Sequence, residues 1–315
     1  MSRLLDNLRS NESAPRLEPS SATAALCVLA SGSRGNCSVL VIPSTKDTPR
    51  RVYLIDAGLS PRRTAKLLDE RGIRPDEVDA IIYTHLDTDH CYVGSGAGWV
   101  KAIRPGYFRA KLLIHRGHMG RAERMGLLSV HTEPLDDACE LASNVNLYTE
   151  VLSHDSLGVA CFRFVIDNES GTKAHLGYAT DCGRVTPRLI EHMRGVDTLA
   201  IESNYCPQMQ QSSDRPMFLK KRIMGGSGHL SNQLSANAVA SMRVREHLIL
   251  LHLSQQCNTP ELAATQHDHS GLTRTISTQH EATPWIPINT ASQSVDIVFP
   301  RMKTKQGSLF VGGKK

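Results

Sequence analysis

The stretch Thr84-His85-Leu86-Asp87-Thr88-Asp89-His90 follows the short apolar run Ala80-Ile81-Ile82-Tyr83. An apolar run of this length, bounded by polar residues, predicts a buried strand, and the polar stretch falls where that strand ends. It sets four metal-ligating side chains, His85, Asp87, Asp89 and His90, within six residues. Imidazoles and carboxylates crowded at a strand exit repel one another unless a cation organises them. The plainer reading, a polar loop whose aspartates cap the next helix, is outweighed because further ligand-type residues recur downstream, each after an extended run.

Working outward, the informative blocks are Ala30-Ser31-Gly32-Ser33-Arg34-Gly35-Asn36, Leu54-Ile55-Asp56-Ala57-Gly58, Ser153-His154-Asp155 and Ala179-Thr180-Asp181. They continue with Glu202-Ser203-Asn204, Gly228-His229-Leu230-Ser231-Asn232, and His252-Leu253-Ser254 before Asn258-Thr259-Pro260-Glu261. With these blocks in this order the chain resembles the metallo-β-lactamase-fold hydrolases, whose second motif reads His-x-His-x-Asp-His. Within them it resembles the YycJ-like exonuclease branch. The resemblance runs from about Leu26 to Leu262, and departs at one ligand position: Asp87 stands where the motif has its second histidine.

The resemblance implies an α/β fold, a four-layer αββα sandwich with its ligands at strand ends along one edge. It implies two divalent cations (Zn, Mn or Fe), the first held by His85, Asp87, His154 and Asp181. The second is held by Asp89, His90, Asp181 and His252, with Asp181 bridging. A carboxylate at residue 87 makes the first site harder and more anionic, which favours Mn²⁺ or Fe²⁺ over Zn²⁺. A single cation at the second set is the alternative. Asp89 and His229 are the expected catalytic residues, with His229 aimed at the scissile phosphate; a role at the start of the helix that Ser231 caps accounts for this block equally well. Asp56 and Glu202 are expected behind the ligands, orienting them by hydrogen bonds, although a turn at Asp56 and a plain strand-end charge at Glu202 remain open. Ser31, Ser33 and Asn36 form a polar turn able to donate to phosphate oxygens, or simply a β-turn. Lys220-Lys221-Arg222 either tracks a phosphodiester backbone or is a solvated helix face.

Composition is compatible with this reading. The chain has 315 residues, 40% hydrophobic and 21% charged, ordinary for a soluble globular protein and enough for one large α/β domain or two small ones. No apolar run approaches the roughly 18 residues of a membrane span, and Arg3, Asp6, Arg9 and Glu12 interrupt the region where a secretory signal needs an apolar core. Eight cysteines without a C-x-x-C pair, several inside apolar runs, predict reduced thiols and a cytoplasmic location. A net charge of +5 fits a polyanionic partner without demanding one.

The expected organisation is a disordered N-terminal lead over 1–22, a hydrolase domain over 23–265 and a C-terminal extension over 266–315. The extension is read as polar, with one strand-like run at Val295–Pro300 and a disordered tail. His115 with His118, and His267 with His269, have metal-like spacing but lie off the informative blocks and are expected at the surface. The functional expectation is a metal-dependent phosphodiester hydrolase acting on nucleic acid, DNA rather than RNA, as an exonuclease. The alternatives are a same-fold hydrolase of a small phosphodiester, thioester or lactone, and a degenerate binding protein without catalysis.

Overall fold

The computed structural model describes residues 22–94, 98–152, 157–226, 228–269 and 271–289. Residues 1–21 of the N-terminal lead, His154 and the Val295–Pro300 run lie outside them.

Two seven-stranded sheets form the centre. The first contains β1 (Ala24–Ala30), β2 (Cys37–Ile42), β3 (Arg51–Ile55), β4 (Ala80–Tyr83), β5 (Lys111–His115) and β6 (Thr132–Leu135). The second contains β7 (Ala138–Ala142), β8 (Val145–Leu152), β9 (Val159–Asp167), β10 (Lys173–Ala179), β11 (Thr198–Glu202), β12 (His247–Leu251) and β13 (Thr273–Ile276). The chain then returns to the first sheet, where β14 (Ile286–Ile288) pairs with β1. Residues 273–288, inside the stretch read as an extension, thus add an outer strand to each sheet.

Most strands are buried on both faces, and for this reason they appear as continuous apolar runs rather than alternating ones. Alternate residues divide between layers. Leu26 and Val28, Ala80 and Ile82, Phe162 and Phe164, and Ile249 and Leu251 meet between the sheets. Cys27, Leu29, Ile81 and Tyr83 face outward under α1 (Pro61–Asp69), α2 (Gly98–Ala102) and α3 (Met119–Arg124). Cys161, Leu199, Ile201 and Leu250 face outward under α4 (Pro187–Met193), α7 (Asn232–Met242) and α8 (Pro260–Gln266). The result is the expected four-layer αββα sandwich. Two further helices, α5 (Pro207–Ser212) and α6 (Met217–Met224), lie between β11 and α7.

Helix starts follow local chemistry. Ser60, Thr186, Ser231 and Thr259 each accept a hydrogen bond from the backbone N–H three residues on, and all but Ser231 precede a proline at the first helical position. All eight cysteines are free thiols. Among the described residues, no helix is long and apolar enough to cross a membrane.

Two expectations are corrected. His118 and His267 are buried, not at the surface. The His267 ring meets Ser203 Oγ at 3.1 Å and so braces the exit of β11, while His118 occupies the N-cap position of α3. Neither pair joins the ligand cluster, because their strands and helices place them elsewhere.

Candidate metal centre

The strands that carry the predicted ligands run parallel in two groups: β3 beside β4, and β10 beside β11 beside β12. Their C-terminal ends therefore open on one edge of the sandwich. Asp56 follows β3, the 84–90 loop follows β4, Asp181 follows β10, Glu202 ends β11 and His252 follows β12. Asp56, Asp181 and His252 have φ of 59°, 51° and 56°. Left-handed backbone at non-glycine residues costs energy and persists where surroundings impose it. At these three exits it turns the chain sharply as it leaves the sheet.

The imidazoles of His85, His90, His252 and His229 stand in a row, with ring centroids 4.2, 5.5 and 5.2 Å apart. Asp181 lies at its centre. Its Oδ2 is 2.9 Å from His90 Nε2 and 3.3 Å from His85 Nε2; its Oδ1 is 3.1 Å from His252 Nδ1 and 3.3 Å from His229 Nδ1. Asp89 Oδ2 approaches His252 Nε2 at 3.3 Å and His90 Nε2 at 3.7 Å. Two overlapping groups have ligand atoms within 4.8 Å of one another: Asp89, His90, Asp181, His252, and Asp181, Glu202, His229, His252.

The supports behind these side chains fix their aim. Asp56 is fully buried and accepts from Thr84 N, at 2.8 Å, and from Thr84 Oγ1. Its other oxygen meets His90 Nδ1 at 2.7 Å, which turns Nε2 toward Asp181. A carboxylate behind an imidazole is the usual support of a ligating histidine. Glu202, also fully buried, accepts from Cys182 N and Leu230 N and holds His229 Nδ1 at 2.7 Å. Asn204 Nδ2 donates to His252 O and meets His252 Nδ1 at 3.1 Å.

The electrostatics follow from this packing. Burial opposes charge on every member, and mutual attraction overrides it. His90 is raised well above its ordinary range by Asp181 and Asp56 against that burial. His252 is raised to about 9, chiefly by Asp181 and Asp89, and His229 to about 10, chiefly by Glu202 and Asp181. Asp181 is held well below the carboxylate range by His252 and His90, and Asp89 is lowered to about 2 by His252 and His90. A site in which carboxylates draw protons this strongly onto buried imidazoles draws a divalent cation by the same field. The donor set of imidazole nitrogens and carboxylate oxygens suits Zn, Mn or Fe, so a divalent cation fits the residues present.

The remaining sequence candidates divide. Asp87 lies at the edge of the cluster and lines the cleft: its Oδ1 accepts from Arg121 Nη2 of α3 at 2.6 Å, while Oδ2 stands 3.8 Å from His85 Nε2. Of the set expected for a first cation, His85 stands 3.3 Å from Asp181 Oδ2 and 3.8 Å from Asp87 Oδ2, with Arg121 sharing the Asp87 carboxylate, and His154 lies outside the described residues. Ser31 and Asn36, expected to meet substrate, are buried and serve the ligand loops. Ser31 Oγ accepts from His252 N at 2.7 Å, and Asn36 Nδ2 contacts Asp89 O and His90 Nε2. Ser33 lines the cleft. Of the basic run, Arg222 lines the cleft, whereas Lys220 donates to Gln211 O and is not part of the lining.

The cluster floors a cleft of about 360 Å³ that is walled by Arg215, Leu219, Arg222, Ile223 and Ser254. Arg215 was not singled out from sequence. Its guanidinium is fixed by Gln210 Oε1, Ser254 Oγ and Gln256 Oε1 at 3.0–3.2 Å. Arg121 was likewise missed. A lone arginine carries no local signal; each acquires meaning from the loop it meets.

Comparison with known proteins agrees with this geometry. Residues 51–253 match the model of the β-lactamase superfamily domain. Exodeoxyribonuclease WalJ of Streptococcus pneumoniae is 30% identical over 240 residues, covering 75% of this chain and 84% of that one. Exodeoxyribonuclease YycJ of Bacillus anthracis is 28% identical over the same coverage. The solved metallo-β-lactamase fold protein YhfI of Bacillus subtilis superposes with a TM-score of 0.59 at 16% identity, over 83% of this chain and 99% of that one, a likeness of fold. The chain therefore belongs to the β-lactamase superfamily, in its metallo-β-lactamase-fold, metal-dependent branch.

Proposed function

We propose that the protein is a metal-dependent exonuclease acting on DNA. The observation that carries this reading is a buried His/Asp cluster opening into a cleft whose walls bear Arg215 and Arg222. Relatives named exodeoxyribonucleases support it. When bound, divalent cations supply positive charge for phosphoryl oxygens and lower the pKa of water. Asp89, His90, Asp181 and His252 form the principal cation site, with His85 reaching the same Asp181 oxygen as His90.

The chain's own residues do the rest. Arg215 and Arg222 bind backbone phosphates at the cleft wall and set the strand's approach. His229, aimed by Glu202, donates a hydrogen bond to the scissile phosphate, and a proton to the leaving oxygen as water bonds to phosphorus and gives up its own proton. Asp56, Asn36 and Asn204 keep the imidazoles pointed inward while this happens.

The test pairs metal analysis of the purified protein with digestion of end-labelled DNA and RNA in Mn²⁺. One or two bound divalent ions and stepwise loss of label from DNA are expected. Intact DNA and RNA beside rapid hydrolysis of a small diester would refute the nuclease reading.

A further inference from the structure

α6 has two unlike sides. Leu219 and Ile223 pack against Tyr205, Cys257 and Met209 and help to wall the cleft. Met217 and Phe218 are 65% and 74% exposed. A phenyl ring left in water forgoes the gain of burial, and an isolated case needs no explanation. Phe218 is not isolated in chemistry. It lies one helical turn before Arg222, on the same face, and three residues after the immobilised Arg215, both of which wall the cleft. Between Pro207 and Gly226 the chain carries four cations (Arg215, Lys220, Lys221, Arg222) and one acid, Asp214.

We propose that Phe218 is a stacking platform for an unpaired base at the single-stranded end of a nucleic acid. The strand's phosphates lie along Arg215 and Arg222, and its terminal linkage reaches the His/Asp cluster. This rests on the nuclease reading above and adds the form of substrate, a frayed or overhanging end. An exposed ring engages only a base already out of its stack, because paired bases hide their faces. Every base offers a π-face, so the contact tolerates sequence. The charge balance favours a nucleic acid over a protein occupant: lysine is depleted at protein interfaces, whereas four cations against one acid along this segment match a polyanion that also carries apolar bases.

The test compares wild type, Phe218→Ala, Phe218→Leu and Phe218→Trp on DNA duplexes with blunt or single-stranded ends, and on bis(4-nitrophenyl) phosphate. It also measures the fluorescence of 2-aminopurine near the end of a phosphorothioate-linked strand. Stacking predicts that Phe218→Ala raises KM for overhanging ends roughly 5- to 150-fold. It predicts no change in small-diester hydrolysis, loss of 2-aminopurine quenching, and near-wild-type behaviour of Phe218→Trp but not Phe218→Leu. Unchanged KM and quenching in Phe218→Ala overturn the proposal. So does full rescue by leucine, failure of the tryptophan variant, or a wild-type dimer that Phe218→Ala dissolves, which would assign the ring to a second copy. If wild type hydrolyses the small diester and leaves all DNA intact, the nuclease reading has failed, which is distinct from a nuclease that ignores Phe218.

Discussion

Asp181 touches four histidines, and no other side chain in the cluster touches as many: its two oxygens lie 2.9–3.3 Å from His85, His90, His229 and His252. Removing it leaves four imidazoles facing one another without their shared anion. Asp181→Ala is expected to lose bound metal and drop hydrolysis to background. Asp87 differs because it meets one histidine of the cluster, His85 at 3.8 Å, and shares its other oxygen with Arg121. Asp87→Ala is expected to retain metal at Asp89, His90, Asp181 and His252, with activity falling no more than roughly 10- to 100-fold, the usual cost of losing a supporting partner. Metal content by mass spectrometry and turnover on labelled DNA check both, and equal losses in the two variants would overturn the central role of Asp181.

At the scale of elements, close approach of two loops matters as much as the ligands. A Cβ built on Gly58 would lie 1.8 Å from Asp89 O, so the turn after β3 fits against the ligand loop only as glycine. Gly58→Ala is expected to cost about 1–3 kcal/mol, as overpacking at a rigid contact does, and to displace Asp89. Thermal unfolding together with metal titration reads both effects; an unchanged melting temperature would mean the loops have room. α6 gives a second prediction. Arg222 faces the cleft and Lys220 is tied to Gln211 O, so the arginines should dominate phosphate binding. Replacing Arg215 and Arg222 by glutamine should flatten the plot of log K against log salt by about 0.7–0.9 for each phosphate left without its arginine, and Lys220→Gln with Lys221→Gln should change it less. Equal slopes in the two double variants would return the run to a solvated helix face.

Across the whole molecule, several histidines are buried neutral. Burial, with Arg163 adding repulsion in each case, lowers His175 to about 3 and His192 to about 4; burial with His269 and Arg274 lowers His267 to about 3. Their folded values lie below the unfolded value of about 6.5, so on acidification the unfolded chain takes up protons first. Their contribution is intact above about pH 6.5 and is lost progressively toward pH 3–4. The expected slope approaches about 1.4 kcal/mol per pH unit for each histidine. Urea unfolding between pH 7.5 and 4.5 checks it, and a flat profile would contradict the burial of these rings.

Much of the site was legible in the chain because its ligands sit at strand exits, where a local signal survives: the runs ending at Tyr83, Ala179, Glu202 and Leu251 announce both strand and ligand. The order of these blocks also carried the fold, since a strand buried on both faces writes itself as a continuous apolar run. β8 was less visible, its Val145-Asn146-Leu147 alternation being that of a half-covered strand; β13 is short and polar, and β14 spans three residues with a proline at its centre. Tertiary structure alone decided what depends on distant partners. It gave Asp87 to Arg121, set Ser31 and Asn36 behind the ligands, brought Arg215 rather than Lys220 to the cleft, and buried His118 and His267. Sequence fixes which groups are available and the local geometry that presents them. Which of two charged groups captures a carboxylate is settled only when folding brings residues 34 positions apart within 2.6 Å.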